Sequence, residues 1–354
     1  MDKRPLDRIG LIPNFRGLCW LLLLYGVFLV GFQGWRVWQG WMRPVASSGP
    51  GQVVVVPPGA AFSEVARELE NRGLIRSRYA FTVLAWQWGV LDKVQAGEYR
   101  FFPSQTPRRI LSDLVEGRVL QHVITIPEGY NLFQVADLLH RAGLVDPADF
   151  VEACEDELLL RRLGIPGPSA EGYLYPDTYY LSRGMSAREL VRHFVRRFWE
   201  TWTREGFDQR ALEMGMDTHD VVILASIVEK ETSLPGERPL IAGVFLNRLR
   251  RGMPLQADPT VYYGILVESS VRKRRLRKAD LRRGTPYNTY VVSGLPAGPI
   301  SNPGRESIRA VLYPAKTNYL YFVAKNDGSH HFSRTLAEHN RAVDRYQRHR
   351  RRRR

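Results

Sequence analysis

The chain has 354 residues, of which 44% are hydrophobic and 25% charged, and its formal net charge is +15. That length suits two domains with an appendage, and the hydrophobic share excludes a chain that is disordered throughout. The charge does not indicate nucleic acid. It is concentrated in two runs without interleaved aromatics or a recognition motif, eight Lys/Arg between Arg272 and Arg283 and six arginines among the last seven residues. Such runs are ordinarily solvated, and they also suit attraction to anionic lipid or wall polymer.

Residues 1–16 carry Lys3, Arg4, Arg8 and Arg16. The next stretch, Gly17 to Trp35, has no charged residue over 19 positions, about the length needed to cross a hydrocarbon core as a helix. It runs into Trp35, Trp38 and Trp41 where a cleaved signal would place small residues. An uncleaved single-pass anchor with an interfacial aromatic belt is therefore expected. The Lys/Arg excess ahead of the span puts the N-terminus in the cytoplasm and everything after about residue 36 outside. Cys19 and Cys154 are too separated for a disulfide to be expected, and no CxxC or Cys/His cluster suggests a metal.

Residues 36–52 read as a linker, rich in Pro, Gly and Ser from Pro44 on. A small α+β module is expected over 53–126. Its strands are Val53–Val56, Gly97–Phe101 and the β-branched Val119–Ile126; its helices are Phe62–Asn71, about Arg78–Gly89, and Thr106–Glu116. A larger mixed α+β domain follows over 127–345, and 346–354 form a basic tail. The larger domain is mostly helical from Gly129 to about Gly206, interrupted around Gly172–Tyr180. It then carries helices at about 221–231 and 237–250, a strand Tyr319–Ala324 and a last helix from about Ser333.

The helix at 221–231 carries the chemistry. Seven of the eight residues from Val221 to Val228 are apolar, and Glu229 and Glu231 follow. At 100° per residue Glu231 falls beside Leu224, Ile227 and Val228, while Glu229 points about 160° away. A carboxyl held against an apolar surface is desolvated and its pKa rises, the property a general acid needs near neutrality. If one of the two donates a proton it is Glu231. The same spacing also allows Glu231 to lie solvated past the helix end or to pair with Arg238.

Three further stretches set polar groups beside aromatics: Leu255–Tyr263, which reads as a loop, Tyr287–Tyr290, and the Gly/Pro-rich Gly294–Gly304. Aromatic platforms with amide and hydroxyl donors suit a sugar chain. His330, His331 and His339 have no carboxylate at ligand spacing, so no metal or other cofactor is expected.

Taken in order, several runs resemble the endolytic murein transglycosylase (MltG, YceG-like) family. They are Glu171–Tyr179 (EGYLYPDTY), Ala225–Thr232 (ASIVEKET), Val244–Leu249 (VFLNRL), Leu255–Gly264 (LQADPTVYYG) and Tyr287–Tyr290 (YNTY). Gly294-Leu295-Pro296, Gly298-Pro299-Ile300, Ala315-Lys316-Thr317, Tyr319–Val323, His331-Phe332-Ser333 and His339-Asn340 complete the set. Each is weak alone; their order and spacing from about residue 53 to 345 are specific.

The resemblance implies an inner-membrane protein with a periplasmic catalytic domain, a LysM-like subdomain at 53–126, and peptidoglycan as substrate. It implies non-hydrolytic cleavage of the β-1,4 bond between N-acetylmuramic acid and N-acetylglucosamine inside a strand, leaving a 1,6-anhydromuramyl end. A role in ending nascent strand elongation, beside peptidoglycan synthases, accompanies it. Its catalytic glutamate maps onto Glu231, and Gln256, Asp258, Tyr287 and Asn288 are assigned to sugar binding by their location. Two other activities remain open: a hydrolytic muramidase with a second carboxylate such as Asp258, and a non-catalytic murein-binding scaffold.

Overall fold

The computed structural model describes residues 15–269 and 275–348. The first 14 residues, three residues of the basic run and the last six of the tail lie outside that range. The chain divides into two compact units, residues 1–120 and 121–354.

The first unit opens with helix α1 (Phe15–Trp41). Its stretch Trp20–Trp41 is 22 residues long with mean hydropathy 1.4, enough to cross a membrane, and none of it is buried in the protein. The apolar helix thus runs past the expected end at Trp35. Its lone Arg36 sits among Trp35, Val37, Trp38 and Trp41, where a long cationic side chain can reach an interface while its stem stays apolar.

Strand β1 (Gln52–Val56) then pairs antiparallel with β2 (Gly97–Phe101), and helices α2 (Phe62–Asn71) and α3 (Arg78–Trp88) lie between them in sequence. The buried positions of α2 are Phe62, Val65, Ala66 and Leu69, the helical spacing read from the sequence. Ser77 caps α3 by accepting from the Ala80 amide. Thr106 does the same for α4 (Pro107–Val115) through the Arg109 amide, with proline in the first turn where no amide is missed. Gly97 has φ +150, and a Cβ there would lie 2.4 Å from the Val119 side chain, so only glycine fits where β2 begins. The strand expected over Val119–Ile126 is divided. The Leu120 amide donates to Glu98 O within the first unit, and only His122–Thr125 is a strand, in the second.

In the second unit that strand, β3, pairs antiparallel with β4 (Thr178–Leu181), and α5 (Leu132–Arg141), α6 (Pro147–Glu155) and α7 (Glu157–Arg162) intervene. Helices α8 (Ala187–Arg204) and α9 (Phe207–Met214) lead to α10 (Thr218–Glu231), capped by Asp217, and α11 (Arg238–Arg250). The stretch read as a loop from Leu255 is one only to Ala257, and Asp258–Ser269 is helix α12. An Asp-Pro pair reads as a turn, yet an acidic residue and a proline both suit a helix's first turn. Helix α13 (Arg305–Leu312), the antiparallel pair β5 (Tyr321–Ala324) and β6 (His330–Ser333), and α14 (Leu336–Val343) complete the unit. The last helix starts later than Ser333 because Ser333 closes β6 and Thr335 is the cap.

The core forms around α10, which packs against α9, α11, α12 and α13. Every residue from Val221 to Val228 is buried, Ser226 included. A second anchor is Asn302, wholly buried in the Gly/Pro-rich loop. Its side-chain amide donates to Tyr130 O (2.8 Å) and Glu171 Oε1 (3.1 Å), and its oxygen accepts from the Leu174 amide (3.0 Å). Three segments far apart in sequence are tied at this one amide. Asn302→Ala leaves those groups unpaired in a dry interior and is expected to cost about 2–4 kcal/mol in urea unfolding of the second unit. A loss below about 0.5 kcal/mol would show that the three segments hold without it.

Candidate functional site

Helix α10 ends in two carboxylates with different fates. Glu229 has a side chain 7% exposed and is fully engaged. Its Oε2 accepts from the Gly304 amide at 3.0 Å, and its Oε1 lies 3.5 Å from Arg238. Arg238, which sequence spacing offered to Glu231, therefore serves Glu229. Among the described residues Glu231 makes no ion pair, although Arg248 lines the same cavity. Burial pushes its carboxyl up to about 8, and the negative charge of Asp258 adds to the rise. A carboxyl in that condition keeps its proton at neutral pH and can give it up, which is what general acid catalysis asks of a side chain.

Glu231 lies on the wall of a cavity of about 370 Å³, with Arg248, Gln256, Asp258, Tyr290, His330 and His339 also lining it. Each is held by its own neighbours. Arg248 of α11 is 8% exposed; its guanidinium donates to Leu320 O (2.7 Å) and Leu255 O (2.8 Å), so it pins the segment before α12 to the approach of β5. Gln256 has φ +50, a left-handed backbone that a non-glycine residue adopts only where its surroundings enforce it. The enforcing contacts are the Gln256 amide to Thr289 O (3.1 Å), the Ala257 amide to Thr289 Oγ1 (3.0 Å), and the buried Thr260–Thr289 hydroxyl pair at 2.9 Å. Asp258 opens α12, and Tyr290 donates its hydroxyl to Asp258 Oδ1 at 2.6 Å.

Two histidines also line the cavity. His330 places its backbone amide 2.8 Å from Glu237 Oε1 and its ring Nδ1 2.6 Å from Oε2. Burial alone would raise the Glu237 carboxyl, but these bonds to His330 outweigh it and hold the group below the usual carboxylate range. His339 stacks on Tyr321 with ring centres 5.3 Å apart. Burial, with Arg248 and His331 nearby, lowers its pKa and keeps it neutral at physiological pH. The cavity therefore gathers a carboxyl that burial keeps protonated, the side chain of Asp258, an amide, a guanidinium and a neutral imidazole around one space.

Of the residues singled out from sequence, Glu231, Gln256 and Asp258 share this cavity, whereas Tyr287 and Asn288 do not line it. Tyr287 packs edge-on against Tyr263, ring centres 4.9 Å apart. Asn288 is wholly buried; its amide donates to Leu281 O and Arg283 O, and its oxygen accepts from the Tyr290 amide. Its hydrogen-bonding capacity is spent on shaping the loop that presents Tyr290. Sequence reasoning gave no role to Arg248, Tyr290 or His339, although each stands in a quoted run. It also passed over Glu171, 1% exposed, which burial pushes up to about 8 despite bonds from the Leu132 amide and from Tyr263.

A family model described as the YceG-like family matches residues 54–345. A Bacillus subtilis (strain 168) protein named endolytic murein transglycosylase is 31% identical over 345 residues, which cover 92% of this chain and 91% of that protein. A Streptococcus pneumoniae (strain D39 / NCTC 7466) protein of the same name is 26% identical over 343 residues, covering 88% of this chain and 62% of the relative. Among solved structures, a Listeria monocytogenes protein described as a putative yceG-like protein has 32% sequence identity and a TM-score of 0.57. The match covers 83% of this chain and all but 1% of that one, at 99%.

A raised carboxyl pKa also acts on stability. Below about pH 4.5 Glu231 is protonated both folded and unfolded, and nothing is lost. Between 4.5 and about 8 the unfolded chain ionises while the folded one does not, so stability falls as pH rises and levels off above 8. Glu231→Gln, which cannot ionise, is expected to melt at the wild-type temperature at pH 4 and above it at pH 9. Equal melting at both pH values would contradict the desolvation of Glu231.

Proposed function

The chain belongs to the YceG-like family, and from that membership and the geometry around Glu231 we propose that it is an endolytic murein transglycosylase. The single observation that carries the mechanism is a carboxyl with no ion-pair partner among the described residues, pushed up to about 8, on the wall of a polar cavity.

Glu231, protonated at neutral pH, donates its proton to the glycosidic oxygen between N-acetylmuramic acid and N-acetylglucosamine as that bond breaks. The resulting carboxylate then takes the proton of the muramyl 6-hydroxyl while its oxygen closes onto C1. The product is a 1,6-anhydromuramyl end, and Glu231 is protonated again. No water is consumed. The substrate's acetamido carbonyl stabilises the oxocarbenium-like centre, so one acid suffices for both transfers. Gln256, Tyr290, Arg248 and His339 hold sugar hydroxyl and acetamido groups from the cavity walls. The locked backbone of Gln256 supports this role, since the point from which its side chain reaches into the cavity is set before the sugar binds. Tyr287 and Asn288 contribute by shaping the loop behind Tyr290.

The proposal extends to the cell. Helix α1 anchors the protein in the inner membrane, with its N-terminus in the cytoplasm and everything after about residue 36 outside. Strand β1, the two helices and β2 of the first unit support a LysM-like reading of that module. Cleavage close to the membrane would end nascent strands where peptidoglycan synthases extend them.

One observation favours a second reading. Asp258 shares the cavity with Glu231, and two carboxylates are what a hydrolytic muramidase uses to activate water. Digestion of purified peptidoglycan distinguishes the two, because hydrolysis adds a water and anhydro closure does not. Wild type is expected to give anhydro-ended muropeptides, with Glu231→Gln reduced at least about 1,000-fold. Reducing-end products would assign hydrolysis, and an unimpaired variant would remove Glu231 from the chemistry. The acid must be protonated to act, so wild-type turnover is expected to hold across neutral pH and decline above about 8.

A further inference from the structure

Helix α3 has two apolar faces, and only one of them is covered. Ala80, Phe81, Leu84 and Ala85 are buried in the first unit's core. On the outside Tyr79 is 69% exposed, Val83 44% and Trp86 69%. At 100° per residue these three fall within about 60° of one another, a continuous stripe along the helix. Large aromatic side chains lined up in water are an unfavourable surface for a soluble module, and such a stripe marks a contact.

Its position relative to α1 indicates the partner. Helix α1 is not a loose tether, because Trp38 packs against the core that contains α2 and α3, and Met42 is buried in that core. The Met42 amide donates to Trp38 O at 3.0 Å, which carries the helical path into the module. Trp38 stands three residues before the end of α1, about 4.5 Å along its axis. The headgroup layer beyond the hydrocarbon is roughly 5–8 Å thick on each side. A span that ends at Trp41 therefore brings the module's surface into that layer.

Helix α3 begins at this exit. Arg76, two residues ahead of it, donates to Pro44 O at 2.9 Å and to Val45 O at 3.1 Å, the first residues after the helix and its last turn. Arg43 and Arg76 are both exposed there, and the Arg78 guanidinium lies 4.9 Å over the Tyr79 ring. Tyrosine and tryptophan with arginine are the side chains that suit a headgroup layer, the rings at the acyl boundary and the guanidinium groups on phosphate.

We propose that the Tyr79–Val83–Trp86 face of α3 is inserted in the headgroup layer of the membrane that α1 spans, with anionic phospholipid as its partner. The module is then docked on the bilayer along a second, parallel contact and does not swing on its anchor. The proposal rests on α1 being a membrane span. A glycan strand also stacks on tryptophan and tyrosine, but it gives no reason for the stripe to begin at the point where the chain leaves the membrane.

The test uses the full chain in nanodiscs of phosphatidylcholine with phosphatidylglycerol. Cys19→Ser is combined with Val83→Cys, Cys154 being buried, and position 83 carries a nitroxide whose depth is read by electron paramagnetic resonance from oxygen against water-soluble nickel accessibility. A parallel Val27→Cys preparation reports on α1. The expected result is a hydrocarbon reading at 27 and a reading at the headgroup–acyl boundary at 83. Hydrocarbon at 27 with bulk water at 83 would overturn the docking while leaving the anchor intact. Bulk water at both would overturn the anchor and the docking with it. A label at 83 that is shielded only after purified murein is added would assign the stripe to glycan and overturn the proposal.

Discussion

Burial of α10 around its whole circumference is the constraint from which the site follows. A helix that presents no face to water from Val221 to Val228 delivers whatever follows it into a poorly solvated region. Two glutamates follow. One of them is engaged by Arg238 and the Gly304 amide, and its bonds fasten the Gly/Pro-rich loop to the helix end. The other has neither, and faces Asp258. Its neutral form is favoured by desolvation. Two residues apart in sequence, the pair divides into a carboxyl tied to Arg238 and the Gly304 amide and one held neutral by burial, the proposed proton donor.

The rest of the second unit keeps that division in place. Asn302 ties the loop behind Glu229 to the segments around Tyr130, Glu171 and Leu174, and Arg248 ties α11 to the segment before α12 and to the approach of β5. The strained backbone at Gln256 survives because Thr289 and Thr260 hold both sides of it. Strain of that kind costs on the order of 1–3 kcal/mol and persists where the surroundings over-determine it. Here the surroundings stand close in sequence to two residues that line the cavity, Thr289 next to Tyr290 and Thr260 two residues after Asp258.

Much of the local structure was legible because it obeys local rules. The apolar spacing of Phe62, Val65, Ala66 and Leu69 yielded the bounds of α2, and the segment at 237–250 was off by one residue at its start. Helix α12 was not legible, since Asp258-Pro259 satisfies a turn and a helix start equally and only burial of Thr260, Val261 and Tyr263 decides. Choosing Glu231 over Glu229 from helical angles reached a residue with the expected raised pKa, but for an incomplete reason. Both carboxylates enter the interior, and what separates them is Arg238 and the Gly304 amide, 7 and 73 or more residues away from either. The cavity itself unites α10, α11, the start of α12, Tyr290, β6 and α14, and no spacing rule places His339 beside Glu231. Asn288 is buried and bonded within its own loop, away from the cavity wall, a placement the sequence could not show because such an asparagine has the same composition signature as one that binds sugar.

The account turns on the protonation state of one carboxyl, and that state is directly measurable. Infrared difference titration of wild type against Glu231→Gln isolates the carboxyl band of Glu231 from those of Glu171 and the surface carboxylates. The account predicts that the protonated band persists through neutrality and disappears at about pH 8. A transition near the ordinary value of about 4.5 would mean that Glu231 is solvated and ionised at neutral pH, and the proposed acid would have no proton to give.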